Sequence, residues 1–152
     1  MGKQTNISGS QFGGEWTIEK LTIIDDYLQF YVNALSKQKV QLVYIDAFAG
    51  SGKTKLPDGK EIDGSALISL KYDFDKYYFI ELNDDRAKCL VNEINSRFPT
   101  KKYKVTVITG DSNKELGKVL QNLTVYQRCV MFLDPYAMEL NWNILEIAKL
   151  KN

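Results

Sequence analysis

"YIDAFAGSGKT", Tyr44 to Thr54, ends an apolar run and opens a glycine-rich turn. Its tail, Ala47 to Thr54, has the shape (A or G)-x-x-x-x-G-K-T, one residue away from a phosphate-binding P-loop. Its head, Asp46 to Gly52, reads D-x-F-A-G-S-G, an acid followed closely by a pair of glycines. The two halves need different surroundings. A P-loop requires a helix beginning at Gly-Lys-Thr, because that N-terminus turns its amides and dipole toward the phosphates. Here Lys55-Leu56 runs into Pro57-Asp58-Gly59, a turn signal that stops such a helix within a turn. "VMFLD", Val130 to Asp134, fits the acid-ending strand that a P-loop protein also needs, but Pro135 follows it directly. The head asks only that backbone approach a ligand closely, which glycine allows.

Working outward, "VQLVYIDAF", Val40 to Phe48, is rich in β-formers and reads as a buried strand. Ahead of it, Ile18, Leu21, Ile24, Leu28, Tyr31, Val32 and Leu35 recur near the helical period. They predict a helix over Glu15 to Leu35, with Thr17 as its N-cap. Gly50 to Gly64 reads as a loop or small hairpin, and Ser65 to Tyr72 as a short helix. A strand over Lys76 to Leu82 and a helix over Asn83 to Phe98 follow, with Pro99 just past the helix end. Then come a strand over Tyr103 to Asp111, a helix over Ser112 to Leu123 interrupted by Gly117, and a strand over Arg128 to Tyr136. A last helix starts at Asn141 and runs to Lys149. Alternating strands and helices, with strands apolar throughout, predict an α/β fold. The expected architecture is a Rossmann-like, doubly wound, mostly parallel sheet with its N-terminal four strands present. Residues 1–14, rich in glycine and serine, read as a flexible tail, and 15–152 as the N-terminal portion of that domain.

Composition narrows the function. A chain of 152 residues predicts a single core, and a net charge of +1 gives no chain-wide basic field for gripping nucleic acid. With no histidine in the sequence, Ser-His triads, histidine bases and the common zinc sites drop out. Cys89 and Cys129 lack metal-ligand spacing and read as reduced, buried thiols of a cytoplasmic protein. No apolar run approaches the length of a membrane helix, and the start has no apolar signal segment, so no membrane partner is expected.

Each predicted strand ends on an acid: Asp46, Glu81, Asp111 and Asp134. In such sheets the carboxyl ends of the strands face one ligand crevice. Singly, each acid also reads as a helix cap or a solvated loop residue. Together with D-x-F-A-G-S-G they resemble the donor site of S-adenosylmethionine-dependent methyltransferases. That resemblance implies that Gly50 and Gly52 let the backbone approach the methionine part of the donor. It places Asp46 on the ammonium, directly or through water, Phe48 in the same turn, Glu81 on the ribose hydroxyls, and Asp111 on the adenine amino group. Asp134, Pro135 and Tyr136 would lie at the transferred methyl as the catalytic set. The spacing 81 − 46 = 35 exceeds the roughly 20 residues usual between such acids, and the Lys55 to Gly64 excursion supplies the surplus.

"GGEWTIEKLTIIDDYLQFYVNAL", "YIDAFAGSG", "GSALISL", "FIELN", "GDSN" and "FLDPYAMELNW" occur in this order between Gly13 and Trp142. In that order they resemble the three-Cys-motif partner proteins, bacterial and phage proteins similar to class I methyltransferases. The resemblance runs from about Gly13 to Ile147. It implies S-adenosyl-L-methionine as cofactor and methyl transfer to an N or O acceptor of unknown identity. Asp134-Pro135-Tyr136 is one proline short of the Asp/Asn-Pro-Pro-aromatic set of amino-methylating DNA enzymes, so nucleic acid is only one candidate acceptor. A complete class I sheet has seven strands. The four expected here imply either a portion of a longer protein or a protein partner, a second chain that completes the sheet. Two alternatives stay open: a catalytically inactive, methyltransferase-like partner module, and a P-loop nucleotide hydrolase. Of the remaining residues, Trp16 and Lys20 either fold over the donor pocket, with Lys20 pairing the donor's carboxylate, or serve as helix packing and a surface lysine, the latter being expected. Lys53-Thr54 either contact substrate or form loop surface, the latter being expected, and Tyr77, Tyr78 and Tyr103 are expected to be core and strand-edge residues.

Overall fold

A computed structural model describes residues 9–134 and 140–149. Helix α1 (Gly9–Leu35) leads into strand β1 (Gln41–Asp46), and a hairpin of β2 (Lys53–Lys55) and β3 (Glu61–Asp63) follows. Next come α2 (Ser65–Ser69), β4 (Lys76–Glu81), α3 (Asp84–Arg97) and β5 (Val105–Thr109). The chain continues through α4 (Ser112–Gln121), β6 (Gln127–Phe132) and α5 (Trp142–Lys149). The main sheet has the order β5-β4-β1-β6, and every pair in it is parallel. From β1 the chain crosses to β4, moves on to β5, and then returns to the other side of β1 as β6. The sheet therefore reverses direction at β1, which is where ligands bind in open α/β sheets. This is the Rossmann-like, doubly wound parallel fold expected from the strand–helix alternation.

The two-residue period of a strand sends alternate β1 side chains to opposite faces. Leu42 and Tyr44 join Tyr77 and Phe79 under α1, α2 and α3, which contribute Leu21, Ile24, Leu28, Leu67, Leu90 and Ile94. Val43 and Ile45 join Ile80 beneath α4 and α5, which contribute Leu116, Leu120 and Ile144. Burial on both faces explains why the strands read as apolar runs rather than as alternating ones. Tyr77 is fully buried, as expected, whereas Tyr103 is 86% exposed on the turn before β5 and belongs to neither core nor sheet.

Some boundaries differ from the sequence expectation. Helix α1 begins at Gly9 rather than Glu15, so Thr17 lies inside it rather than at its N-terminus. Gly14 is buried where a Cβ would come within 2.8 Å of the Pro57 ring, so the hairpin loop packs on this part of the helix through a glycine. The excursion after the glycine turn is an antiparallel hairpin, Lys53 opposite Asp63 and Lys55 opposite Glu61. Cys89 is exposed on α3 and Cys129 half-buried in β6, so burial as a pair of core thiols does not hold. No helix among the described residues is long and apolar enough to cross a membrane.

Gly117 does not interrupt α4, which runs unbroken from Ser112 to Gln121. A Cβ there would meet nothing within 4 Å, so the glycine only weakens the helix by its extra unfolded-state freedom. Gly117→Ala is therefore expected to stabilise the fold by about 0.5–1 kcal/mol, read as a higher urea midpoint with an unchanged slope.

Candidate functional site

The register of the sheet sets the depth of each strand-end acid. Asp46 pairs with Phe79 on one side and Phe132 on the other. Glu81 therefore stands two residues further along β4, a rise of roughly 6–7 Å above Asp46, and Asp134 follows two residues past Phe132, just beyond the end of β6. The glycine turn that leaves β1 passes between them. Together these segments enclose a cavity of about 490 Å³ lined by Ala47 to Gly50, Gly52, Glu81 and Asp134, with Thr17, Lys20 and Leu21 of α1 and Lys53 to Lys55 of β2. That volume lies in the range of small-molecule sites.

The turn continues the sheet before it bends. Ala47 N–H donates to Phe132 O and Ala49 N–H to Ile80 O, so β1 stays held from both sides up to Ala49. Gly50 (φ 65°) and Gly52 (φ 89°) then adopt the left-handed conformation that side chains disfavour. Their roles separate. A Cβ on Gly50 would meet nothing, because that position opens into the cavity. A Cβ on Gly52 would lie 2.9 Å from Leu90 Cδ1 and 3.1 Å from Leu67 Cγ, so the protein's own core requires this glycine. Gly52 also lines the cavity, so this packing demand comes in addition to the expected close approach of a ligand.

Glu81 is the acid that meets the turn. Its Oε2 accepts from Gly50 N–H at 2.8 Å and its Oε1 from Asn83 N–H at 2.9 Å, while Arg86 Nη1 lies 3.9 Å from Oε1. An ionised carboxylate has about four acceptor sites, so two remain for a ligand in the cavity.

Asp46 is fully buried beneath the turn and is not part of the cavity wall. Its oxygens accept from Phe48 N–H and from the Ser65 hydroxyl at the start of α2. The side chain thus fastens the turn to α2, and of the two expected modes, directly or through water, direct contact with an ammonium is not its arrangement here. Burial raises its pKa from 3.8 to about 6, against the lowering by those two hydrogen bonds and helped by the charges of Asp134 and Glu81. A carboxyl that resists ionisation only when folded makes stability fall as pH rises from about 4 to 6; below that window both states are protonated. Asp46→Asn is expected to gain on the wild type by something on the order of 2 kcal/mol between pH 4 and pH 7.5, measured by urea unfolding at both.

Asp134 lies in the cavity wall and is paired with Lys20 Nζ. Lys20 is therefore a cavity residue rather than a surface lysine, whereas Trp16 is 63% exposed and outside the wall. Asp111 caps α4 by accepting from Asn113 N–H at 2.7 Å and is not in the wall; of its neighbours Ser112 is, donating its hydroxyl to Ala47 O. Pro135 and Tyr136 lie outside the described residues. The sequence reading missed Ser65, Ser112 and Arg86. Ser65 and Ser112 each begin a helix after a strand or turn, and Arg86 sits one helical turn after the Asn83 cap, whose side chain accepts from Arg86 N–H. Lys53-Thr54, expected as loop surface, instead form part of β2 and of the cavity wall.

That strand decides against the triphosphate reading of the turn. Gly52-Lys53-Thr54 runs into β2, so no helix N-terminus faces the cavity from this turn. The Lys53 ammonium lies 3.3 Å from Glu93 on α3 instead of being held over a phosphate site.

No family model matches the chain, and no curated protein matches it. Solved structures do. Protein LPL1258 from Legionella pneumophila str. Philadelphia 1 is similar over 86% of this chain and 62% of its own, at TM-score 0.58 and 14% identity. A conserved hypothetical protein of Streptococcus pyogenes is similar over 80% of this chain and 65% of its own, at TM-score 0.50 and 19% identity. The Escherichia coli protein named "Putative methyltransferase yhhF" overlaps 58% of this chain and 42% of its own at TM-score 0.39 and 19% identity, too partial to carry an argument. At these identities the likeness is one of fold, and the chain spans less than two thirds of each of those proteins.

Proposed function

We propose that the cavity binds S-adenosyl-L-methionine and that this chain carries the donor half of a methyltransferase serving a nitrogen or oxygen acceptor. The observation that supports this most is Glu81, a nearly buried acid at the end of β4 whose carboxylate grips the turn at left-handed Gly50 and still has acceptor sites toward the cavity. An acid in that position suits a ribose diol, as in dinucleotide folds. The open space at Gly50 suits a ligand lying directly on backbone. When bound, the donor supplies an electrophilic methyl group on a sulfonium. The chain's own residues do the rest by position and charge. Phe48 gives the cavity an apolar wall, and Asp134 at the opposite end from Glu81 would receive the acceptor's proton-bearing nitrogen or oxygen. The adenine role of Asp111 would have to use the carboxylate oxygen that does not cap α4.

A second reading, a donor-binding module that works through a protein partner, has its own support. Among the described residues β6 pairs only with β1, which leaves its outer edge open. Trp16, Ile23, Tyr27 and Phe30 on α1 are all more than half exposed, an apolar stripe on one side of that helix. Calorimetry with S-adenosylmethionine and with ATP on the same sample tests the main reading: saturable binding of the first and none of the second is expected. Binding of ATP alone would reject it. Donor binding with no methyl transfer to nucleic acid, protein or small amines would favour the module.

A further inference from the structure

Resting on the reading that the cavity takes a sulfonium donor, we propose that Lys20 recognises the donor's amino-acid carboxylate. We further propose that its pair with Asp134 keeps the acceptor end of the site shut until that carboxylate is present. Lys20 comes from α1 and Asp134 from the loop after β6, yet both line one cavity and each remains partly open to it, at 27% and 38% exposure. An acceptor amine would need the Asp134 carboxylate. The Lys20 ammonium offers the same chemistry, a positive charge with three N–H donors, and it already occupies that carboxylate. Lys20 is only partly exposed, so it leaves the pair at least cost when another carboxylate takes it over. A donor with an amino-acid end brings one.

The other cations of the wall are placed differently. Arg86 lies by Glu81 at the opposite end, and Lys53 pairs with Glu93 on α3. Lys55 stands on the hairpin strand β2. Around Lys20 the helix is anchored by Leu21, Ile24 and Leu28 in the core, so the flexible lysine stem can re-partner while the backbone stays in place.

The test uses two ligands that share adenosine and a thioether but differ in the amino-acid end. These are S-adenosylhomocysteine, which has the carboxylate, and 5′-methylthioadenosine, which lacks it. Lys20→Met is expected to weaken the first roughly tenfold or more and to leave the second unchanged, while Lys20→Arg restores most of the loss. Asp134→Asn is expected to tighten S-adenosylhomocysteine several-fold, because Lys20 no longer has a competing carboxylate. Lys118→Met, at an exposed lysine on α4 that pairs with Glu115 and lies outside the cavity wall, should change neither. Methylthioadenosine binding also reports that each variant is folded. Equal weakening of both ligands by Lys20→Met, no effect on either, or weaker S-adenosylhomocysteine binding in Asp134→Asn would overturn the proposal. Failure of the wild type to bind either ligand would overturn the underlying reading as well, and is seen before any variant is compared.

Discussion

Glu81→Ala is expected to lower the affinity for S-adenosylmethionine by about a hundredfold, close to 2.7 kcal/mol. Two effects act together. The ribose loses charge-assisted acceptors, each worth about 1.5–3 kcal/mol in a buried site. The turn loses its hold as well, since Gly50 N–H and Asn83 N–H both donate to this side chain. Glu81→Gln separates the two. It keeps one acceptor oxygen, so it preserves part of the grip on the turn while removing the charge, and a loss of roughly tenfold is expected. Calorimetric titration of the three proteins measures both. An unchanged dissociation constant in the alanine variant would mean that the donor does not use this acid, and the proposed function would fall with it.

The second large effect is on stability and divides the two glycines of the turn. Gly52→Ala is expected to destabilise the fold by about 2–5 kcal/mol, from a left-handed backbone that alanine disfavours and a Cβ driven into packed side chains. The contacts at fault are Leu90 Cδ1 and Leu67 Cγ. Gly50→Ala has the same conformational cost, about 1–2 kcal/mol, and no clash, so it should unfold nearer the wild type. Its added methyl projects into the cavity, however, so donor binding should suffer most in that variant. Urea unfolding and calorimetry of both proteins check the crossing pattern. If Gly52→Ala proved no less stable than Gly50→Ala, the separation of roles would be wrong.

Much of this site was legible from residue order. A strand that ends in an acid and runs into Gly-x-Gly marks a sharp turn with left-handed backbone, and the acids at 81 and 134 fall at the ends of the neighbouring predicted strands. What could not be read was depth. One strand-end acid looks like another in sequence, yet Asp46 lies beneath the turn and Asp111 caps a helix, while Glu81 and Asp134 line the cavity. For Asp46 the difference comes from register: it stands level with Phe79 and Phe132, two residues before Glu81 and Asp134, and register is a property of strand pairs rather than of any one segment.

The sequence by itself determined the element order, the parallel sheet and the place of the glycine turn, because periodicity and glycine placement are local consequences of backbone sterics. Pro57-Asp58-Gly59 was enough to deny Gly52-Lys53-Thr54 a helix, and the β2–β3 hairpin stands where that helix would be. Only the tertiary structure decided which side chains share the cavity. Lys20 and Asp134 are 114 positions apart, and nothing near either one marks the other as its partner. Packing α1 across the sheet brings them together. That contact depends on how Leu21, Ile24 and Leu28 seat in the core, a non-local balance of burial that no single stretch of chain records.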